Sequence, residues 1–562
     1  MAYAITRTCC NDASCVSVCP VNCIHPTPDE PEFGRTDLLY VDPAACIDCG
    51  ACADACPVDA VVPVDALVPA DRPAGPGAVH AGLGRDWYRD HPTDHAWGAP
   101  VFPRSLSVGL DPGGRPGRAA RRRPAPPRVA VVGTGPSAGY TAQALLRSTG
   151  AEITMIDRLP VTGGLLRHGV APDHGSTRRI AEGFAAVLRD PRVRLHLNVE
   201  VGTDLLHAEL AAHHHAVVYA VGAAADRRLG VPGEDLPGSL PAVRLVHWYN
   251  AEPTVPAGAV ALDAGTGAGA ERAVVVGNGN VAVDIARILL TGPDALAGTD
   301  IADHALAALR RSRVREVVLL ARRGPGQAAW TAPEFLALTR LPGVEVVVDD
   351  HPEVRAALAG AAGGSHEALL AGLPLVRVDG TAPPRPGRRI VLRFHAAPAE
   401  LLGGGRVEAV RLADGGLLHA GLVVRSIGTR GVPLPGLPFD EAAGAVPRSG
   451  ARVLDPATGR PLPGTYLVGW AKRGPSGGIG ANRVCAEETV HALLDDAEAG
   501  VLPVPAGGRR AFDRLVRARR PDALGLRQLR AIDRAERARG EAAGRPRVRL
   551  STVPALLAAA RR

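Results

Sequence analysis

At 562 residues the chain is longer than one hydrophobic core supports, so several domains are expected. With 46% apolar residues it can build large cores, and no run reaches the roughly 18 apolar residues of a membrane span. The start, MAYAITRTCC, has no basic stretch leading into an apolar one, so a soluble cytoplasmic protein without a membrane partner is expected.

The formal charge of +7 conceals an uneven division. Residues 1–65 carry eight Asp and two Glu against Arg7 and Arg35, a balance of −8 that leaves +15 for the remainder. An acidic module joined to a basic one reads as two surfaces that dock on each other, not as a nucleic-acid binder. Nine of the 10 cysteines lie in the first 56 residues, which argues against a disulfide framework and for a cofactor site in a reducing compartment.

The first element is therefore a cysteine-bound centre. Residues 46–57 give Cys46, Cys49, Cys52 and Cys56-Pro57, the full C-x2-C-x2-C-x3-C-P run of iron–sulfur proteins. Upstream, Cys9, Cys15 and Cys19-Pro20 follow the same schedule, but Asp12 takes the second slot. Two such runs cross over, each lending its fourth cysteine to the other cluster. Cys19, Cys46, Cys49 and Cys52 are thus expected to hold one 4Fe-4S cluster. Cys9, Cys15 and Cys56 are expected to hold the second, with Asp12 nearest its fourth corner. A carboxylate is a harder ligand than a thiolate, so the second cluster is expected to have a labile fourth iron and to occur as 3Fe-4S, or as 4Fe-4S where Asp12 or Cys10 holds the corner. Structural zinc also uses C-x2-C steps, but it does not require three evenly stepped cysteines followed by Cys-Pro, twice. Cys10 and Cys23 are spare, and Cys10 is the one rival to Cys9 as first ligand. The stretch 1–65 resembles the two-cluster bacterial ferredoxins.

Residues 66–127 read as an extension and linker, proline-rich and containing tryptophan, with His80, His91 and His95 as surface residues. Its last part, GRPGRAARRRPAPP, has neither aromatics nor a helical period, which suits a solvated linker better than a nucleic-acid site. A buried strand, Val129 to Val132, then runs into a glycine turn and an amphipathic helix. Gly133 permits the tight turn, Gly135 lets the backbone approach a pyrophosphate, and Ala138 allows close packing of helix on strand. The next strand, Ile153 to Ile156, ends at Asp157, whose carboxylate can hold ribose hydroxyls. The histidines of HHH, residues 213–215, are expected to be exposed.

The pattern recurs in RAVVVGNGNVAVDIARILL. The strand Ala273 to Val276 leads to Gly277, Gly279 and Ala282, and a helix continues through Leu290. The following strand finishes in Arg322 and Arg323 where the first copy has an acid. Two guanidiniums at that position suit the 2′-phosphate of NADP. Copy one therefore reads as an FAD site and copy two as an NADP site.

The stretches LLRHGVAPDH, NGNVAVDIARILL, ARRGPGQAAWTAPEF, RFHAAPAELLGGGRVEAVRL and GWAKRGPSGGIGANR together resemble the adrenodoxin-reductase family of ferredoxin–NADP reductases, over about residues 128 to 500. With the cysteine segment in front, the whole chain is similar to bacterial members that carry their own fused ferredoxin. The resemblance implies a multidomain α/β protein: two Rossmann-like dinucleotide-binding domains, for FAD and NADP, preceded by a small α+β ferredoxin-like iron–sulfur domain. The expected order is 1–65 iron–sulfur, 66–127 extension and linker, 128–222 and 426–500 FAD, 223–425 NADP, and 501–562 a helical tail. It further implies that Ala138, Asp157, Leu165 and Val201 line the FAD, while Trp470 and the backbone of Gly477, Gly478 and Ile479 close over its ring. Asn280, Val281, Ala282, Arg322, Arg323 and Glu334 would touch NADP, with Gly477 shared because a residue without a Cβ lets the two rings approach. Asp157 stands where Glu is more usual, a shorter reach toward ribose.

The implied activity is transfer of a hydride from NADPH to FAD, then of single electrons to the clusters and on to an external one-electron acceptor such as a ferredoxin-dependent enzyme or cytochrome. No side chain is assigned as a catalytic acid or base; His174 is a candidate relay for the flavin proton. Lys472, the only lysine, is a candidate either for favouring negative charge on the reduced flavin or for a plain ion pair. Alternatives are an electron-input protein like the glutamate synthase small subunit, whose family lacks GVAPDH and GWAKRGPSG, and a non-enzymatic flavin and iron–sulfur sensor. A flavin-disulfide reductase is excluded because the only cysteine past residue 56 is Cys485.

Overall fold

A computed structural model describes the chain apart from residues 1–2, 7, 20–21, 28–29, 31, 34, 37, 44, 47–49, 57, 59, 65–83, 85–86, 90–125, 264–266 and 362–364. Cys49 and the histidines His80, His91 and His95 lie outside the described residues. The chain forms two compact units: residues 1–167, 176–223 and 431–529 make the first, and residues 168–175, 224–430 and 530–562 the second.

In the first unit the cysteine segment is built from two short antiparallel pairs, Tyr3–Ile5 with Val61–Pro63 and Ile24–His25 with Tyr40–Val41, and a single-turn helix Ala51–Ala55. Part of the extension returns to it. Tyr88 donates its hydroxyl hydrogen to the carbonyls of Cys23 (2.9 Å) and Tyr40 (3.1 Å), and Trp87 stacks on Tyr40 at 5.3 Å. The same unit holds a seven-stranded sheet. Its order is Arg448–Ser449, Arg452–Leu454, Pro461–Leu467, Ala216–Tyr219, Arg128–Val132, Glu152–Asp157, Val193–Leu197, parallel from Pro461–Leu467 onward. Val129, Ala130 and Val131 at its centre are fully buried. That accounts for an unbroken apolar run where a half-exposed strand would alternate.

The second unit has a seven-stranded parallel sheet, ordered Ser239–Pro241, Leu422–Arg425, Arg272–Val276, Glu316–Leu320, Arg388–Arg393, Val344–Asp349, Leu375–Val376. A small antiparallel meander of Pro398–Leu402, Ala409–Leu412 and Leu417–His419 accompanies it. The strand Arg272–Val276 begins one residue before the apolar run, and the register sets Arg272 beside Glu316, on the central strand, and Glu316 beside Arg389. These three side chains form a buried triad, with both arginine Nε groups on the Glu316 carboxylate. Arg272 also donates to the carbonyls of Gly380 (2.6 Å), Ala382 (3.0 Å) and His419 (3.2 Å).

Two segments divide differently from the sequence-based boundaries. Residues 168–175, placed in the FAD domain from sequence, group with the second unit, where Asn250 Nδ2 donates to the carbonyls of His168 (3.1 Å) and Val170 (3.0 Å). The tail is split after residue 529. Before the split, Leu524 exchanges backbone hydrogen bonds with Leu197. Beyond it, Arg545 pairs with Asp303 at 2.6 Å and Arg549 with Asp300 at 2.5 Å. The triplet 213–215 is also not the exposed run expected. His214 is buried, its ring nitrogens bonded to the Leu210 carbonyl (2.9 Å) and the Thr154 hydroxyl (3.0 Å), because it lies where a helix turns into a central strand.

Candidate functional site

Among the described residues the cysteines of the first segment fall into two groups, one with Cys9, Cys15 and Cys56 and one with Cys19, Cys23 and Cys46. Cys9, Cys15 and Cys56 lie close enough for each charge to act on the next, with Cys10 and Asp12 in the same group. Cys52 also reaches Cys15. Cys19 and Cys23 sit 3.4 Å apart, sulfur to sulfur, and Cys46 also acts on Cys23. Burial pushes the thiols of Cys10 and Cys15 well up and that of Cys9 up to about 11, neighbouring negative charges adding to each. Crowded buried thiols of this kind hold their protons unless a cationic centre stands among them, and iron supplies that charge. The donor set therefore fits iron–sulfur clusters. Asp12 is buried, and both of its carboxylate oxygens are taken by Ser14, one from the amide at 3.2 Å and one from the hydroxyl.

The first dinucleotide turn lies at the end of Arg128–Val132. Gly133 has φ 109°, and a Cβ there would strike the carbonyl of Ala220, so neither the conformation nor the space admits another residue. Gly135 caps the helix Pro136–Ser148, in which Ala138 is fully buried. Asp157, at the end of the neighbouring strand, accepts from the amide (2.9 Å) and hydroxyl (2.6 Å) of Thr134 and from the Leu159 amide (3.0 Å). Burial raises its pKa, against these hydrogen bonds. Gly164 packs against Gly135 and brings Leu165 to the turn, while Val201 lies in the apolar cluster beneath it with Val132 and Ile156.

The glycine loop near residue 477 reaches the same turn through Asn482. Its Oδ1 accepts from the Ser137 hydroxyl (2.8 Å) and from Arg473 Nη2 (2.8 Å), and its Nδ2 donates to the carbonyls of Gly478 (3.3 Å) and Ile479 (3.2 Å). Trp470 opens the short helix that precedes this loop. Lys472 is committed to an ion pair with Glu488 at 2.6 Å.

In the second unit the turn repeats. Gly277 has φ 123°, a Cβ there would strike the Ser426 carbonyl, and the helix Asn280–Leu290 follows Gly279. Val281 is 45% exposed at the helix start, whereas Ala282 is buried against the sheet. Arg322 and Arg323 are both exposed just past the strand Glu316–Leu320. Asn280 Oδ1 accepts from the Thr331 amide at 2.7 Å, which ties the turn to the helix bearing Glu334. Glu334 Oε2 is buried without a hydrogen-bond partner, an orphan that a polar group of a bound dinucleotide can satisfy. Nearby, Arg287 gathers Asp173, Asp284 (2.5 Å) and His174 (2.9 Å), and His174 Nε2 stands 3.8 Å from Glu334 Oε2. The guanidinium already supplies the positive charge that these acids require.

Comparison with known proteins agrees with this geometry. Residues 8–60 match the 4Fe-4S dicluster domain, and residues 127–323 match the family described as pyridine nucleotide-disulphide oxidoreductase. A probable ferredoxin/ferredoxin–NADP reductase of Mycobacterium tuberculosis is 47% identical over 100% of this chain and 95% of its own length. The chain belongs to the ferredoxin/ferredoxin–NADP reductase family. Its members are oxidoreductases, and membership leaves the glutamate-synthase alternative without support. NADPH-ferredoxin reductase FprA of the same organism is 42% identical over 76% of this chain and 98% of its own. The solved structure of that FprA in complex with NADPH superposes with a TM-score of 0.70, covering 78% of this chain and all of FprA at 40% identity. Among the described residues no helix is long and apolar enough to cross a membrane.

As a family member the chain holds residues that its motifs did not single out. Asn482, Thr134 and Arg287 each tie neighbouring segments together by hydrogen bonds, yet each is a common residue in a helix or turn. The sequence signals were the GPSGGIGANR stretch, which includes Asn482, and NGNVAVDIARILL, which includes Arg287.

Proposed function

We propose that this chain oxidises NADPH and delivers its electrons through FAD and its own iron–sulfur segment to an external one-electron acceptor, in a cytoplasmic setting. The observation that carries the reading is the pairing of two glycine turns in two separate units, one followed by Asp157 and the other by Arg322 and Arg323. When bound, FAD takes a hydride from NADPH and gives electrons up singly, and the clusters receive them one at a time.

The chain's own residues do the rest. The backbone at Gly133, Gly135 and Ala138 receives the FAD pyrophosphate at a helix N-terminus, and that at Gly277, Gly279 and Ala282 receives the NADP pyrophosphate. Asp157 holds the FAD ribose through the lone pair of Oδ1 that the Leu159 amide leaves open. Arg322 and Arg323 bind the 2′-phosphate, and Asn280, Val281 and Glu334 make further contacts with NADP. Leu165, Val201, Trp470 and the stretch Gly477–Ile479 exclude water from the flavin. Hydride transfer needs stacking and position more than an acid or base; His174, held by Arg287, is placed to move a proton.

The ligand sets are Cys19, Cys46, Cys49 and Cys52 for a 4Fe-4S cluster, and Cys9, Cys15 and Cys56 for a second. Asp12 would hold the fourth corner of the second only weakly, a hard carboxylate already shared with Ser14, which would leave a labile fourth iron and favour 3Fe-4S. Domain limits follow the order given from sequence, with residues 168–175 and the tail assigned as the two units divide them. Anaerobic NADPH oxidation with ferricyanide, a flavin and iron count, and electron paramagnetic resonance before and after iron addition test the reading. A 3Fe-4S signal that converts on adding iron is expected; stoichiometric zinc with no cluster signal refutes the iron–sulfur part, and no turnover refutes the reductase part.

A further inference from the structure

The turn that carries Asp12 does not end in solvent. The amide of Gly480 donates to the Cys10 carbonyl at 3.2 Å, and Arg483 Nη1 donates to the Asp12 carbonyl at 3.1 Å. Arg483 is only 13% exposed and is braced by Glu487 at 3.4 Å. Tyr140, on the helix opened by the first glycine turn, is buried, and the charges of Asp12 and Cys10 are close enough to add to the upward shift that burial gives its hydroxyl. All these residues belong to the first unit.

Space at the contact is closed. A Cβ on Gly480 would overlap the carbonyl of Asn11 and crowd the amide of Asp12. The backbone of Gly480 is ordinary right-handed helix, φ −59° and ψ −38°, so nothing local requires a glycine. The close approach of another segment is the reason for it. On the other side, Asn11 (φ 54°) and Ala13 (φ 56°) both occupy the left-handed region, which costs an alanine about 1 kcal/mol and persists where surrounding structure holds it. Gly480 directly follows the Gly477–Ile479 stretch, and the turn it meets lies between Cys9 and Cys15.

We propose that this contact is the electron port between the reductase and the iron–sulfur segment: the turn Cys10–Asp12 docks on the start of helix Ala481–Glu498 of its own chain, with Gly480 and Arg483 as positioning residues. The centre held by Cys9, Cys15 and Cys56 is then the one presented to the flavin-closing stretch, and docking is within one chain. The inference rests on the reductase reading above. For each NADPH oxidised to NADP+ and a proton, two electrons cross singly, and each reduces one equivalent of acceptor. The acidic segment is held here through its backbone carbonyls, not through a carboxylate pair.

The test uses full-length protein carrying flavin and clusters, with Gly480→Ala and Arg483→Ala as separate variants. Three quantities are read: flavin reduction by NADPH in stopped flow, cluster reduction by freeze-quench electron paramagnetic resonance, and hydrogen–deuterium exchange of the peptide covering residues 9–14. Both variants should reduce flavin at the wild-type rate and exchange the 9–14 amides faster. Cluster reduction should slow several-fold in Gly480→Ala, since the added Cβ overlaps the Asn11 carbonyl and must push the turn away, and electron transfer falls steeply with distance. Faster exchange with cluster reduction at the wild-type rate overturns the port, and unchanged exchange in both variants overturns the contact. Loss of FAD from both variants also overturns it, by making the helix start part of the flavin site. Wild-type protein whose flavin NADPH does not reduce refutes the reductase reading itself, a separate result.

Discussion

Replacing Glu316 by Gln removes one charge from the floor of the second sheet while keeping its shape. Glu316 and Arg272 have fully buried side chains and Arg389 is 9% exposed, so the two guanidiniums have little water to turn to. A glutamine offers one carbonyl oxygen to two donors and turns an N–H₂ toward the other, leaving two like charges side by side. Removing one partner of a buried pair costs about 3–5 kcal/mol. The three carbonyls that also receive Arg272 soften the loss, which puts the expected value near the lower end, about 3 kcal/mol. For a domain of this size that lowers the melting temperature by roughly 6–12 °C. Near-ultraviolet circular dichroism reads it, because Trp248 and Trp330 are both buried in the second unit. Substituting all three positions together by Met, Leu and Met should recover most of the loss, since an apolar replacement leaves no charge unpaired. A Glu316→Gln protein that melts within about 1 °C of wild type would mean that the triad is solvated, and would refute the reasoning.

Other outcomes follow from the sites. Arg322→Ala and Arg323→Ala should each raise KM for NADPH by about 10-fold, a charge-assisted bond at an exposed position, and leave KM for NADH nearly unchanged; an unaltered NADPH-to-NADH preference would remove both from the phosphate site. Asp12→Cys should add about one iron per chain and replace the 3Fe-4S signal by that of a 4Fe-4S cluster, checked by iron analysis and electron paramagnetic resonance. His214, its pKa pushed down to about 4 chiefly by burial, is neutral in the fold. Its stabilising contribution is complete above the ordinary imidazole value near 6.5 and is lost as pH falls toward 4, roughly 3 kcal/mol in all. Denaturant melts of His214→Gln should lack that part of the acid slope. Asn482→Ala should weaken FAD retention by about 10-fold, since one side chain holds both the helix Pro136–Ser148 and the glycine loop, and flavin fluorescence on dilution measures it.

The chemistry of this chain was legible in its sequence because clusters and dinucleotides impose local spacings. A C-x2-C-x2-C step wraps a cluster whatever surrounds it, and a glycine turn between strand and helix receives a pyrophosphate through its own backbone. The positions of Asp157 and Arg322-Arg323 at the strand ends were legible for the same reason, since the strand end lies at a fixed offset from the turn. The exposure expected for 213–215 failed because three histidines look polar in isolation, while the position between a helix and a central strand buries the middle one.

Contacts between distant segments decided the rest. The Arg272–Glu316–Arg389 triad exists through strand register, joining positions 44 and 73 residues apart, and no local pattern encodes it. Asn482 meets Ser137 across 345 residues, and Arg483 meets Asp12 across 471. The sequence by itself thus determined which cofactors the chain can hold, because those ligands and turns are encoded within a few consecutive residues. Only the tertiary structure decided which turn of the cysteine segment meets the start of helix Ala481–Glu498, because close approach of two backbones depends on space that a glycine leaves and a linear pattern does not record.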